Sequence, residues 1–189
     1  MKILITESQY ELLFENNNQP YKNFKNEDHE IYVTILKRLG APVTPETLGF
    51  MYAWRECENS AGAPNNYCNN PFNTIHDMDK DPKIVRGSEQ STMHKRTNSH
   101  GVKSYKTIQI GIDATIKTLT NGNYSTLLNA LKNSVTKEWN VHEIALNSGN
   151  DLKKWGTEAD GPKVREKARN YFIKKSVPNP SIIRKSGCE

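Results

Sequence analysis

The chain has 189 residues, enough for one domain with a sizeable core and short appendages. Only 35% of them are hydrophobic and the mean hydropathy is -0.77, which predicts a small core and long polar loops; no stretch approaches the roughly 20 apolar residues a membrane span needs. A net charge of +5 and a pI near 9.0 favour an anionic partner, whether nucleic acid, a membrane surface or an anionic cell-wall polymer.

The N-terminal stretch MKILITESQYELLFENNNQP takes acids at Glu7 and Glu11 and has no apolar region followed by a small-residue cleavage site. It therefore reads as no signal peptide, and the expected site of synthesis is the cytoplasm. Thr6-Glu7-Ser8-Gln9 fits a capping box, with Tyr10, Leu13 and Phe14 following at helical spacing, so a helix is predicted over 6–15. NNNQP breaks it, and residues 1–22 read as an appendage. Residues 27–39 place Ile31, Ile35, Leu36 and Leu39 on one face, and Gly40 stops that helix. The next opens with Thr44 as cap and Pro45 at the first position, and runs through Leu48, Met51 and Trp54 to about Glu58.

From Asn59 to Lys103 there is no sustained helical period, and such a long irregular stretch is functional or disordered. Short strands fit within it, for example around Lys83 to Arg86. Regular structure resumes in YKTIQIGIDATIKTL, where Ile108, Ile112, Ile116 and Leu119 form a stripe that Asn121-Gly122 ends. Gly111 on that helix lets another backbone approach closely, at about 1 kcal/mol relative to alanine. Further helices are predicted over 124–133, 137–147 and 162–175, the last with a basic face and with Val164, Tyr171 and Phe172 turned inward. There is no internal repeat. The fold class is mainly α (α+β), with a domain over 23–158, a long polar loop or small β region between its helices, and a basic C-terminal helix and tail over 159–189.

Glu58 is the candidate for chemistry. A carboxyl group at a helix end, behind Trp54 and facing a polar loop, meets the conditions of a general acid, because partial burial raises its pKa. Glu56 points about 200° away around the helix and does not pair with it. A second carboxylate is not assigned: Asp77, Asp79 and Asp81 lie in the later loop and Asp113 on the following helix. The Asp77, Asp79, Asp81 run matches the start of a calcium loop, but Pro82 stands where the turn glycine belongs and Ser88 where the bidentate glutamate belongs. His76, His94 and His100 are too scattered for zinc, so no metal and no cofactor are expected. Cys57, Cys68 and Cys188 have no metal-ligand spacing. A bridge between Cys57 and Cys68 needs the intervening loop to fold back, and thiols are the default in a cytoplasmic product. Asn70 and Asn73 carry amides suited equally to sugar N-acetyl groups and to capping turns. Trp54 fits a core role better than a binding one.

Several short motifs occur in order: AWRECEN, NNPFNT, then NSHGVKSYKTIQIGIDATIKTLTNGNYSTLLNAL, and finally LKKWGTE. Over about residues 44–158 this series resembles a phage-associated lysozyme-like family, in which a tryptophan and a glutamate precede an Asn-Pro-Leu/Phe-Asn-Thr segment. Trp54 and Glu58 match the first element, Asn70 to Thr74 the second, and Gly101, Val102, Lys103 and Tyr105 the third. Gly111, Ala114 and Thr115 match the next, and Trp155, Gly156 and Thr157 the last. The chain departs from the pattern at Asn59, where the family often has glycine, and in the longer stretch between Thr74 and Gly101.

The resemblance implies a lysozyme-like domain that cleaves the β-1,4 glycan bonds of peptidoglycan as a glycosidase or lytic transglycosylase. Glu58 would be the catalytic acid, with Asn70, Asn73, Thr74 and Tyr105 as substrate-binding residues. A single-glutamate mechanism is preferred, since the substrate's own acetamido and 6-hydroxyl groups can take part. The protein would act at the bacterial cell wall, through a lysis pore or carried in the virion beside other virion proteins. The rival expectation is a non-catalytic virion structural protein that keeps the fold. Nucleic acid is the weaker partner, because no zinc-finger or RNA-recognition signature is present.

Overall fold

Capping residues set the helix ends of this chain. The computed structural model describes residues 28–59, 68–81, 83, 92–93, 101–134, 144–145, 147–157, 164 and 166–167. Within them α1 spans His29–Leu39 and α2 spans Pro45–Asn59. A 3-10 turn (Met78–Lys80) and two strands follow, β1 (Thr92–Met93) and β2 (Ser104–Tyr105). Next come α3 (Ile108–Leu119), α4 (Ser125–Lys132) and α5 (Gly149–Trp155), so the described residues are mostly helical. Gly40, left-handed at φ 71, closes α1: its N–H donates to the Lys37 carbonyl and that of Ala41 to Leu36. Thr44 and Thr47 cap the start of α2 reciprocally, each backbone N–H donating to the other's hydroxyl, at 3.0 and 3.3 Å.

The middle of α2 is buried on every side, from Phe50 through Arg55, so it runs through the centre of the packing. Helix α1 lays Ile31, Tyr32, Ile35, Leu36 and Leu39 inward and packs against α2, α3 and α4, while α4 packs on α5. Aromatic rings link the parts. Tyr52 meets Tyr32 edge-on at 4.8 Å, Tyr32 lies 5.8 Å from Phe72, Phe72 4.3 Å from Trp54, and Trp54 5.0 Å from Trp155. Each such pair adds about 0.5–1.5 kcal/mol beyond the area it buries. Trp54 is fully buried, a core residue as the sequence suggested.

The segment from Cys68 to Thr74 crosses α3 at Gly111. A Cβ there would sit 1.7 Å from the Asn69 carbonyl oxygen, so only glycine admits this approach. Asn69 and Asn73 both take left-handed backbone conformations, at φ 54 and 53, which asparagine tolerates better than most residues.

The structure adds to the sequence reading in several places and corrects it at the cysteines. The strands pair antiparallel with Thr92 opposite Tyr105, whereas Lys83 stands in a turn and residues 84–86 lie outside the described set. Tyr105 is in β2; α3 starts only at Ile108, because Thr107 caps it by accepting from the Ile110 N–H. Helix α5 was not anticipated. Cys57 is a buried thiol and Cys68 is disulfide-bonded, so the two are not joined to each other; Cys188 lies outside the described residues. The predicted helix over 6–15 and most of those over 137–147 and 162–175 also fall outside. Val164 is described, helical and buried in the main core, and Lys167 pairs with Glu56. No helix among the described residues is long and apolar enough to cross a membrane.

Candidate active site

Glu58 lies in the last turn of α2, partly open to solvent. The preceding turn supplies Trp54, one helical repeat earlier on the same face, and Arg55, fully buried beside it. Two further elements reach the carboxyl group. Helix α5 ends at Gly156, left-handed at φ 96, whose N–H donates to the Lys153 carbonyl while that of Thr157 donates to Leu152. This reversal brings the Thr157 hydroxyl to within 2.5 Å of Glu58 Oε1. From the other side, the loop seated on Gly111 delivers Asn73, whose Nδ2 lies 3.1 Å from the Glu58 carbonyl and 3.3 Å from Oε2.

Each of these groups is itself held. Trp54 Nε1 donates to Thr157 Oγ1 at 3.1 Å, and Arg55 Nη1 donates to Asn73 Oδ1 at 3.4 Å. Trp155 Nε1 donates to the Phe72 carbonyl at 2.7 Å, tying α5 to the loop that carries Asn73. Burial raises the Glu58 pKa, against the opposing pull of Thr157, the Arg55 charge, Trp54 and Asn73. Burial also lowers the Arg55 pKa, while Tyr32, Glu58 and Asp28 nearby raise it.

The other sequence candidates are placed differently. Asn70 is buried, and its amide is taken up by main chain: Nδ2 donates to the Thr74 and Lys103 carbonyls at 2.9 and 2.8 Å, and Oδ1 accepts from the Thr74 N–H at 2.9 Å. Thr118 donates its hydroxyl proton to the Ala114 carbonyl, so the buried Thr74 hydroxyl, 2.6 Å away, donates to Thr118. Tyr105 is buried and its hydroxyl donates to the His76 carbonyl at 2.6 Å. These three side chains hold the loop and present no polar atom to a ligand, in contrast to the substrate-binding role the sequence suggested for them. Only Asn73 of that group joins Glu58.

The aspartates engage elsewhere. Asp113 pairs with Arg38 and accepts from Gln109, Asp81 pairs with Lys117, and Asp77 lies 3.7 Å from Lys103. No cluster of three or more histidine, cysteine or acidic side chains fit for a metal occurs among the described residues. Comparison with protein-family models, with curated proteins and with solved structures found no match.

What the geometry provides is a carboxyl group with a raised pKa, gripped by donors on two sides, with no carboxylate among its partners in the described residues. Such a group can hold a proton and give it up to a substrate oxygen. Thr157 was not singled out as a functional residue in the sequence. The signal that could have found it is the Trp-Gly-Thr order, in which glycine ends a helix and turns the next hydroxyl back.

Proposed function

We propose that this chain is a phage peptidoglycan-degrading enzyme that cleaves β-1,4 glycan bonds with Glu58 as its general acid. In this reading it has a lysozyme-like fold and acts at the bacterial cell wall, in lysis or as part of the virion. One observation carries the proposal: Glu58 is a partly buried carboxyl at a helix end, raised in pKa by burial and fixed by Thr157 and Asn73. Protonated Glu58 gives its proton to the glycosidic oxygen as the C1–O bond breaks. Among the described residues no carboxylate is bonded to Glu58, which fits attack at C1 by the substrate's own acetamido or 6-hydroxyl oxygen. The family resemblance of the Trp54–Glu58, Asn70–Thr74 and Trp155–Thr157 motifs supports the same substrate.

The test is release of soluble muropeptides from purified peptidoglycan by wild type and Glu58→Gln, with products analysed by mass. Wild type should release them, and the variant should lose about 10²–10⁴-fold in rate. Anhydro ends would identify transglycosylase chemistry and reducing ends hydrolysis. Activity requires the protonated carboxyl, so the rate should fall as pH rises through the Glu58 pKa, a limb that burial moves upward. A second reading, a non-catalytic virion protein of the same fold, is favoured by the fact that both Glu58 oxygens accept bonds from the protein itself. Absence of release from any peptidoglycan, with both proteins folded, would favour it.

A further inference from the structure

The two oxygens of Glu58 are not equivalent, and the reason lies one layer behind them. An indole N–H can only donate, so Thr157 Oγ1 is the acceptor in its 3.1 Å contact with Trp54. The one hydroxyl proton of Thr157 is then available for Glu58 Oε1, 2.5 Å away. Oε1 is thereby an acceptor. On the other side, the orientation of the Asn73 amide is fixed by two partners that admit no choice. The Glu58 main-chain carbonyl can only accept, so Nδ2 faces it at 3.1 Å, and the Arg55 guanidinium can only donate, so Oδ1 faces it. Nδ2 reaches Oε2 at a longer 3.3 Å, so Oε2 is the more weakly held oxygen.

We propose that Thr157 is a positioning residue that, with its oxygen accepting from Trp54 and its proton turned to Oε1, makes Oε2 the oxygen of Glu58 that bears and delivers the proton. This rests on the reading of Glu58 as general acid. A proton on Oε1 would oppose the Thr157 hydroxyl hydrogen, for which no other acceptor stands among the described residues, whereas one on Oε2 faces the longer amide contact. On delivery the Oε2–H bond breaks and an O–H bond forms on the leaving glycosidic oxygen, which keeps the electron pair of the broken C1–O bond. The carboxylate left behind gains from the Thr157 bond, since a hydroxyl donating to an ionised acceptor makes a stronger bond than to a neutral one. Thr157 therefore stabilises the state that follows proton transfer more than the state before it, which acts on turnover rather than on substrate binding.

The experiment compares wild type, Thr157→Val and Thr157→Ser by two readouts. One is the titration of the Glu58 side-chain carboxyl carbon by NMR, and the other is the steady-state kinetics of muropeptide release. Valine removes the donor at similar volume, so Glu58 should titrate at higher pH and kcat should fall about tenfold or more with KM little changed. Serine should restore both. In wild type, the Trp54 indole proton should shift in step with the Glu58 titration, a measurement that stands even if the valine variant fails to fold. An unmoved titration in the valine variant, or an indole proton indifferent to Glu58, overturns the proposal whatever the activity. If wild type releases no muropeptides while the titration still moves, the general-acid reading and proton delivery fall together, and the Thr157–Glu58 bond alone is established.

Discussion

Helix α2 carries a buried carboxyl group near each end, and the two are treated in opposite ways. Glu46, in the first turn, is almost wholly buried and has one oxygen, Oε2, with no hydrogen-bond partner among the described residues. Glu58, in the last turn, is less buried and receives donors on both oxygens. Helix polarity alone would predict the reverse care, because the N-terminus favours negative charge and the C-terminus opposes it by a few tenths to about 1 kcal/mol. The donors gather where the backbone is least hospitable to an anion. Burial raises both pKa values, yet only at Glu58 do side chains from three parts of the chain converge to oppose it. The comparison teaches that convergence of donors, rather than burial or helix position, separates a working carboxyl from one that is merely enclosed.

The sharpest way to break the comparison is to remove the seat of one end. Asn73 reaches Glu58 only because the loop from Cys68 to Thr74 lies against Gly111, where a Cβ would meet backbone at 1.7 Å. Backbone cannot swing aside as a flexible side chain can. Gly111→Ala should therefore destabilise the fold by about 3 kcal/mol or more, read by denaturant unfolding. Residual folded protein should show the Glu58 carboxyl disturbed and Glu46 unchanged. A variant as stable as wild type would mean that the loop is not seated there.

A smaller effect is expected at Asn70, which secures the same loop without touching either glutamate. Asn70→Ala removes the partner of the Thr74 N–H and of the Lys103 carbonyl, while the Thr74 carbonyl keeps the Lys103 N–H, and should cost about 2 kcal/mol. If Asn70 instead binds sugar, the loss would appear in KM with stability intact.

Much of this architecture was legible in the sequence. Gly40, the Thr44-Pro45 start of α2 and the Ile112 and Leu119 stripe are local signals, decided within a turn or two of chain. Gly111 was legible too, since a glycine inside an apolar helix has few purposes other than close approach. The site was harder. An asparagine's amide offers the same atoms to a sugar as to a carbonyl, and the carbonyl that engages Asn70 is 33 positions away at Lys103. The Thr157 hydroxyl acts 99 positions from Glu58, and nothing local announces the meeting. Helix α5 has only seven residues, too few for a periodic apolar pattern to declare itself.

The gentlest test addresses Glu46 itself. Its pKa is raised by burial, with its own backbone N–H and the Thr44 side chain opposing that rise. A carboxyl whose pKa is higher in the folded than in the unfolded state binds more protons when folded, so stability declines as pH climbs from the unfolded value of about 4.3 through the folded one. Below that window the group is neutral in both states and contributes no pH dependence. Glu46→Gln removes the ionisation while keeping shape, so it should match wild type at the acid end and exceed it by about 1 kcal/mol at neutral pH. Thermal unfolding followed from pH 3 to pH 8 would show the two curves diverging only above the window. Muropeptide release should be unaffected, because Glu46 stands at the opposite end of α2 from Glu58. Parallel curves would mean that Glu46 finds a partner for its charge, and the contrast between the two ends of α2 would then lie in position rather than in hydrogen bonding.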